Sequence, residues 1–175
     1  MWDNFIPSHY LSSAYELDLT SLKDQGITSL FFDLDNTLTT YEFLVPPQPM
    51  QEFIQKLKDH GFEVYIVSNS NNYRVQPFLD ALQIKGSGSC KKPLTSVIEK
   101  LLPKDKSTAM LVGDQLLTDV LVSNRLGIKS TLVHPLDLST DHFFTRMNRK
   151  LERFVANKVK QYHPDKYEVM KARYE

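Results

Sequence analysis

The stretch 30–40, LFFDLDNTLTT, runs a short apolar segment straight into two carboxylates one residue apart. Asp33 and Asp35 each resist desolvation and repel each other, so this placement at the mouth of a buried strand calls for a compensating charge. Further along, one apolar segment ends in Ser68-Asn69-Ser70 and another in Gly113-Asp114-Gln115, with Lys91-Lys92-Pro93 between them. Taken singly, each piece is ordinary turn chemistry. Taken in this order on three strand exits, they supply what phosphoryl transfer through an aspartyl-phosphate needs. A carboxylate nucleophile splits one hard displacement into two easier steps. Its approach to an anionic phosphate requires a divalent cation, and Mg²⁺ suits an all-oxygen site with a few carboxylates. Asp33 is then nucleophile and ligand, and Asp114 brings a second carboxylate to the same ion. Asp35, two residues on and so on the same side of an extended chain, can serve as acid and then base. Ser68 and Lys92 would hold the non-reacting phosphate oxygens, where positioning and charge stabilisation supply most of the catalysis. Asn36 and Thr37 are expected to turn the chain so that backbone amides face the phosphate.

The elements that must position these groups are legible as alternating short strands and helices. Residues 28–34, 63–70, 109–115 and 129–135 read as buried strands, and 84–93 as at most a short strand followed by a basic loop. Residues 49–60 carry Met50, Phe53, Ile54 and Leu57 at helical spacing, with Gly61 as the C-terminal stop. Further helices are expected over 73–82 (containing Pro77), 94–102 and 116–126, the last ended by Gly127. This alternation predicts right-handed βαβ units and an α/β, Rossmann-like three-layer sandwich with a mostly parallel central sheet. In such a sheet the functional groups collect at the carboxyl ends of the strands.

The order D-x-D-N-T-L (33–38), S-N (68–69), K-P (92–93) and G-D-x-x-x-T-D (113–119) resembles the haloacid dehalogenase superfamily of Mg²⁺ phosphatases. That resemblance implies Asp33 as nucleophile, Asp35 as acid/base and Ser68, Asn69 and Lys92 at the phosphate. It also implies Asp114 as metal ligand, the Asp35 backbone carbonyl as another, and Asp119 as a supporting acid. The early F-I-P, the closing G-D-Q-L-L-T-D-V-L with Asn124-Arg125, and T-R-x-N-R (145–149) resemble the bacterial YqeG-type family IIIA phosphatases over roughly residues 1–155. That family is related to fungal mitochondrial phosphatidylglycerophosphatases, so a lipid phosphomonoester is an expected substrate. Cys90 departs from the small residue common at its position and reads as a small buried hydrophobe.

Phosphatases of this superfamily carry cap domains inserted after the first motif or before the lysine. Residues 39–62 and 70–91 are too few for a unit with its own core, so no cap is expected and the site should be open to something bulky. The expected organisation is a capless core over 1–140, with an N-terminal lead segment, and a basic amphipathic helix and tail over 141–175. In that tail Phe143, Met147, Leu151, Phe154, Val155 and Val159 recur near helical spacing, and Arg146, Arg149, Lys150, Arg153, Lys158 and Lys160 outnumber the acids. One reading packs this stripe on the core with a solvated basic face. The other places 141–160 against anionic lipid at a membrane surface.

Composition narrows the field. The formal net charge is zero, with 21 basic and 21 acidic residues, so nothing in the balance points to nucleic acid. One cysteine excludes an internal disulfide, and five dispersed histidines without H-E-x-x-H argue against zinc. The N-terminus lacks the basic start and apolar run of a signal peptide, and no stretch is long enough to span a bilayer. The expectation is a cytoplasmic protein, peripheral at the inner membrane surface if at a membrane at all, with oligomerisation open. Gly86-Ser87-Gly88-Ser89 lacks the spacing of a dinucleotide loop. A signalling receiver also phosphorylates an aspartate beside Mg²⁺, but it has no acid two residues later. A protein or nucleotide phosphatase or phosphotransferase on the same residues, and a non-catalytic phosphatase-like scaffold, are the remaining alternatives.

Overall fold

The computed structural model describes residues 2–139 and 143–175. Six strands, β1 (His9–Leu11), β2 (Ser29–Phe32), β3 (Glu63–Val67), β4 (Lys85–Ser87), β5 (Ala109–Gly113) and β6 (Lys129–Val133), form one sheet in the order β1-β6-β5-β2-β3-β4. Every pairing is parallel, so all six carboxyl ends lie on one edge. β2 sits between β3 and β5 and is buried along its whole length. Its side chains divide by the two-residue period of a strand. Leu30 and Phe32 join one core cluster, and Phe31 stacks on Tyr65 in the other.

Helices cover both faces. Helix α1 (Leu19–Asp24), α2 (Gln48–Asp59) and α3 (Asn72–Leu82) pack on the Leu30/Phe32 side, and α4 (Ser96–Glu99) and α5 (Leu121–Leu126) on the Phe31 side. The α2 stripe is the expected one: Met50, Phe53, Ile54 and Leu57 are buried. The regular part of the 94–102 segment is shorter than its periodicity suggests. Its end tightens, with Leu101 N–H donating to the Ile98 carbonyl three residues back. The segment 116–126 opens with a wide π turn, Leu116–Val120, before α5 begins. β1 is a strand that the sequence reading left inside the N-terminal lead, since three half-buried residues carry no usable period.

Between Thr39 and Phe62 the chain forms a loop and α2, and between Ser70 and Lys91 it forms α3 and β4. Among the described residues, neither stretch forms a separate unit with its own core.

The tail folds as α6 (Phe143–Tyr162), α7 (Pro164–Tyr167) and α8 (Lys171–Tyr174); residues 141 and 142 of the expected helix, like the side chain of Phe143, lie outside what the structure describes. Here the expected apolar stripe needs correction. Val155 and Val159 are buried with Ala156, Tyr167 and Met170 against Leu116, Val120 and Leu132, but Met147, Leu151 and Phe154 are exposed. The helix turns Glu152, Val155, Ala156 and Val159 inward, a spacing of three, one and three that makes one face. Met147, Leu151 and Phe154 lie on a neighbouring face, so a single broad stripe is in fact two.

Candidate active site

The exit of β2 is the centre of the site. Asp33 N–H donates to the Val112 carbonyl at 2.9 Å, so Asp33 continues the β2–β5 ladder one residue past the strand. Asn36 then takes a left-handed conformation, φ 65°, and the chain turns back so that Asp35 bridges Thr39. That turn satisfies its own donors: Asn36 N–H donates to the Thr39 carbonyl at 2.7 Å and Thr37 N–H to the Leu34 carbonyl at 3.4 Å. Asn36 and Thr37 thus turn the chain as expected, and their own N–H groups are spent within the turn. The Asn36 side-chain oxygen accepts from Asp137 N–H at 3.0 Å, and the Thr37 hydroxyl donates to Asp114 Oδ1 at 3.4 Å.

Lys92 is buried beside Asp33. Its ammonium donates to Asp33 Oδ1 at 2.7 Å, to Asp119 Oδ1 at 2.6 Å and to the Val67 carbonyl at 2.9 Å. Burial works against that charge, but Asp119 and Asp33 outweigh it and the lysine pKa is raised. The Asn69 side chain holds the lysine here, clamping Lys92 from both sides. Asn69 Nδ2 donates to the Lys92 carbonyl at 3.0 Å, and Lys92 N–H donates to Asn69 Oδ1 at 2.6 Å. Asn69, expected at the phosphate, lines the cavity and at the same time clamps the lysine loop.

Asp119 reaches the lysine from the π turn. Its Oδ2 accepts from Gln115 N–H at 3.1 Å, and it packs against Gly113 so tightly that a Cβ there would lie 2.3 Å from the Asp119 carboxyl carbon. Only a glycine leaves room at the end of β5. Asp114, the next residue, is fully buried, and Arg149 of α6 donates to its Oδ2 at 2.6 Å. Arg173 of α8 donates to the Asp114 carbonyl at 2.6 Å and to the Val133 carbonyl at 2.7 Å. Burial pushes the Asp114 carboxyl up, the Arg149 guanidinium opposes this, and Asp119 adds to it. Asp33 is held well above the ordinary carboxylate range: burial raises it, Lys92 opposes, and Asp119 and Asp114 raise it again.

Asp33, Asp114 and Asp119 each bring a carboxylate oxygen to within 4.8 Å of the others. Three buried carboxylates at that spacing, all oxygen donors, fit a hard divalent cation. The Asp35 side chain is not in this group. It turns to Arg74, which donates through Nη2 at 2.8 Å and Nε at 3.1 Å to Oδ1, and to the Ser70 hydroxyl, which donates to Oδ2 at 2.6 Å. Any part for Asp35 in metal binding falls to its backbone carbonyl. Ser68 is buried, and its hydroxyl accepts from Ser70 N–H at 3.1 Å.

Beside these groups lies a cavity of about 230 Å³ lined by Asp33, Asp35, Ser68 and Asn69 together with Tyr41 of the loop after β2, Gln115 and Thr118 after β5, and Thr145 and Asn148 of α6. Sequence reasoning missed Arg74 and Arg149 as site residues. Arg74 carried no signal, since a lone arginine in an early helical turn is ordinary. Arg149 did: Thr145, Asn148 and Arg149 are spaced three and then one apart, one face of a helix, within a stretch already singled out by its resemblance.

A family model described as mitochondrial PGP phosphatase matches residues 3–136. The chain is 33% identical over 160 residues to "Probable phosphatase YqeG" of Bacillus subtilis, covering 90% of this chain and 92% of that protein. It is 30% identical over 148 residues to "Phosphatidylglycerophosphate phosphatase 1, chloroplastic/mitochondrial" of Arabidopsis thaliana, covering 78% of this chain and 42% of that one. A "Phosphatidylglycerophosphate phosphatase 1, chloroplastic" of Chlamydomonas reinhardtii is 27% identical over 155 residues, with 79% and 56% covered.

Proposed function

This chain belongs to the mitochondrial PGP phosphatase family and is a phosphatase, and from that premise we infer that it hydrolyses a phosphomonoester through an aspartyl-phosphate on Asp33, with Mg²⁺ as cofactor. The observation carrying this reading is the gathering of Asp33, Asp114 and Asp119 at the strand ends, with the Lys92 ammonium paired to Asp33 and Asp119. Asp33, Asp114 and the Asp35 carbonyl would hold the ion, with Asp119 in support. Bound there, the ion would supply positive charge that offsets the repulsion of the carboxylate nucleophile for the anionic phosphate.

The chain's own residues then divide the work. Asp33 attacks phosphorus, and the P–O bond to the leaving alkoxide breaks in line. Asp35, aimed by Arg74 and Ser70, gives that oxygen its proton and afterwards takes one from the attacking water. Ser68 Oγ and Lys92 Nζ hold the non-reacting oxygens, and the Asn69 clamp keeps the lysine in place. The substrate favoured is phosphatidylglycerophosphate, supported by the family and, among the described residues, by an edge with no cap over it.

Turnover of an aryl phosphate and of phosphatidylglycerophosphate by purified protein is the test. Activity should vanish in EDTA and return with Mg²⁺, and Asp33→Asn should lower kcat by at least about a thousandfold while circular dichroism is unchanged. Wild-type turnover by Asp33→Asn sinks the mechanism. Turnover of the aryl ester but not the lipid sinks the substrate.

A further inference from the structure

Most of the large exposed apolar side chains among the described residues lie on the edge of the sheet where the site opens. All strands are parallel, so each loop leaving a strand arrives at that edge. After β2 come Phe43, Leu44 and Val45 in a row, Leu44 being 74% exposed. Tyr73, 93% exposed, stands in the first turn of α3 after β3. Leu94 follows β4, and Leu136 and Leu138 follow β6. Met147 and Leu151 extend the set along α6, whose Thr145 and Asn148 line the cavity itself. Isolated exposed apolar residues need no explanation, but a concentration from five separate segments around one opening does.

We propose that this edge is a membrane-docking collar, by which the site mouth is pressed onto the surface of an anionic bilayer. The inference rests on the phosphatase reading for what is turned over there, but not for the docking. Two observations select a bilayer as the occupant. The loop after β2 and helix α6 carry collar residues and also line the cavity, so whatever covers the collar must also deliver substrate, and a folded partner seated on it would close the cavity instead. Exposed cations are interleaved with the apolar groups: Lys91 beside Leu94, and Arg146, Lys150 and Arg153 around Met147 and Leu151, against an exposed Glu42 and a half-buried Asp137. Apolar side chains entering the headgroup boundary among basic ones is the pattern of a protein lying on a membrane rather than crossing it. Among the described residues no helix is long and apolar enough to cross one.

The loop end of the collar is tied to the catalytic groups. Arg74, while paired with Asp35, also donates to the Phe43 carbonyl and, at 3.0 Å, to the Thr40 carbonyl. Its guanidinium lies 5.9 Å from the Tyr41 ring centre. The loop carrying Phe43 to Val45 is thus held in place by the same side chain that aims Asp35.

The test is co-sedimentation of the full chain with vesicles of phosphatidylglycerol and phosphatidylcholine in equal parts, alongside phosphatidylcholine alone. The comparison is with the double variants Leu44→Glu/Val45→Glu and Met147→Glu/Leu151→Glu, each checked by circular dichroism and by turnover of a soluble aryl phosphate. The expected result is binding to the anionic vesicles, weakened by salt, and lowered at least about tenfold in both variants with aryl phosphatase turnover kept. Failure of the wild type to sediment, or sedimentation of both variants like the wild type, overturns the collar. So does wild-type self-association that both variants abolish, without vesicle binding, since the occupant would then be a second copy. Vesicle binding without aryl phosphatase activity would uphold the collar and overturn the phosphatase mechanism instead.

Discussion

Two carboxylates and a carbonyl take the three hydrogens of the Lys92 ammonium, so its hold on a phosphate oxygen in the proposed reaction exchanges one of these partners for the substrate. Burial pushes Asp33 and Asp114 up, and the two cations Lys92 and Arg149, set against three carboxylates, do not reverse it. Asp35 is set apart from that cluster by Arg74, whose fork grips one of its oxygens twice. A lysine presents a single point charge and cannot reproduce that grip. Arg74→Ala is therefore expected to slow turnover about tenfold or more, and Arg74→Lys to recover only part of it, read as kcat on an aryl phosphate. Equal rates for Arg74→Lys and wild type would show that charge alone is what Asp35 needs.

At the scale of elements, the end of β5 and the turn after it act as one unit. Gly113→Ala would drive a methyl group into the Asp119 carboxyl, and either Asp119 or the strand end must move. The expected cost is about 1–3 kcal/mol in urea unfolding, accompanied by a loss of activity larger than that stability change would cause. Glu152 of α6 fastens the π turn to the tail: its Oε1 accepts from Leu116 N–H at 2.5 Å and Leu117 N–H at 3.3 Å, and Arg173 lies 3.7 Å from Oε2. Burial pushes its carboxyl up to about 7, while Arg173 opposes, Asp114 adds and Arg149 opposes. The folded state thus keeps this proton at a pH where the unfolded chain has released it. The contribution of Glu152 to stability is full below about pH 4.5 and declines as pH rises to about 7. Melting temperatures of wild type and Glu152→Gln between pH 5 and 8 should show a flatter slope in the variant. Identical slopes would mean that Glu152 ionises as it would in water.

The strands and helices that carry Asp33, Ser68, Lys92 and Asp114 were legible because buried parallel strands leave unmistakable apolar runs ending in polar residues. What was not legible came from packing. Whether Met147 or Val155 faces the core depends on which side of α6 finds Leu116 and Leu132. That the Asn36 and Thr37 N–H groups are spent inside their own turn was not legible, because a turn that satisfies its own donors looks the same in sequence as one that leaves them free. The clamp of Asn69 on Lys92 joins residues 23 apart, and no local pattern announces it.

For the molecule as a whole, the tail is a structural part of the site rather than an appendage. Met170, fully buried with Tyr167 and Val159, anchors the last helices on Leu116 and Leu132, the residues around which the π turn is built. Met170→Ala should destabilise by roughly 2–5 kcal/mol in thermal or urea unfolding, the usual cost of opening such a cavity. Activity should fall with it under mild denaturant before the far-ultraviolet signal does, because Arg149 and Arg173 would be the first site groups to lose their places.

Asp33 continues a strand with partners on both sides, whereas Arg149 rides on a helix secured by one separate cluster. Amide hydrogen exchange should therefore divide a single active site into two kinetic classes. The amides of β2 would exchange only through global opening, and those of α6 through a smaller, more frequent one. In each such excursion Asp114 would lose its guanidinium while Asp33 and Lys92 stayed locked, so half of the catalytic centre breathes and half does not.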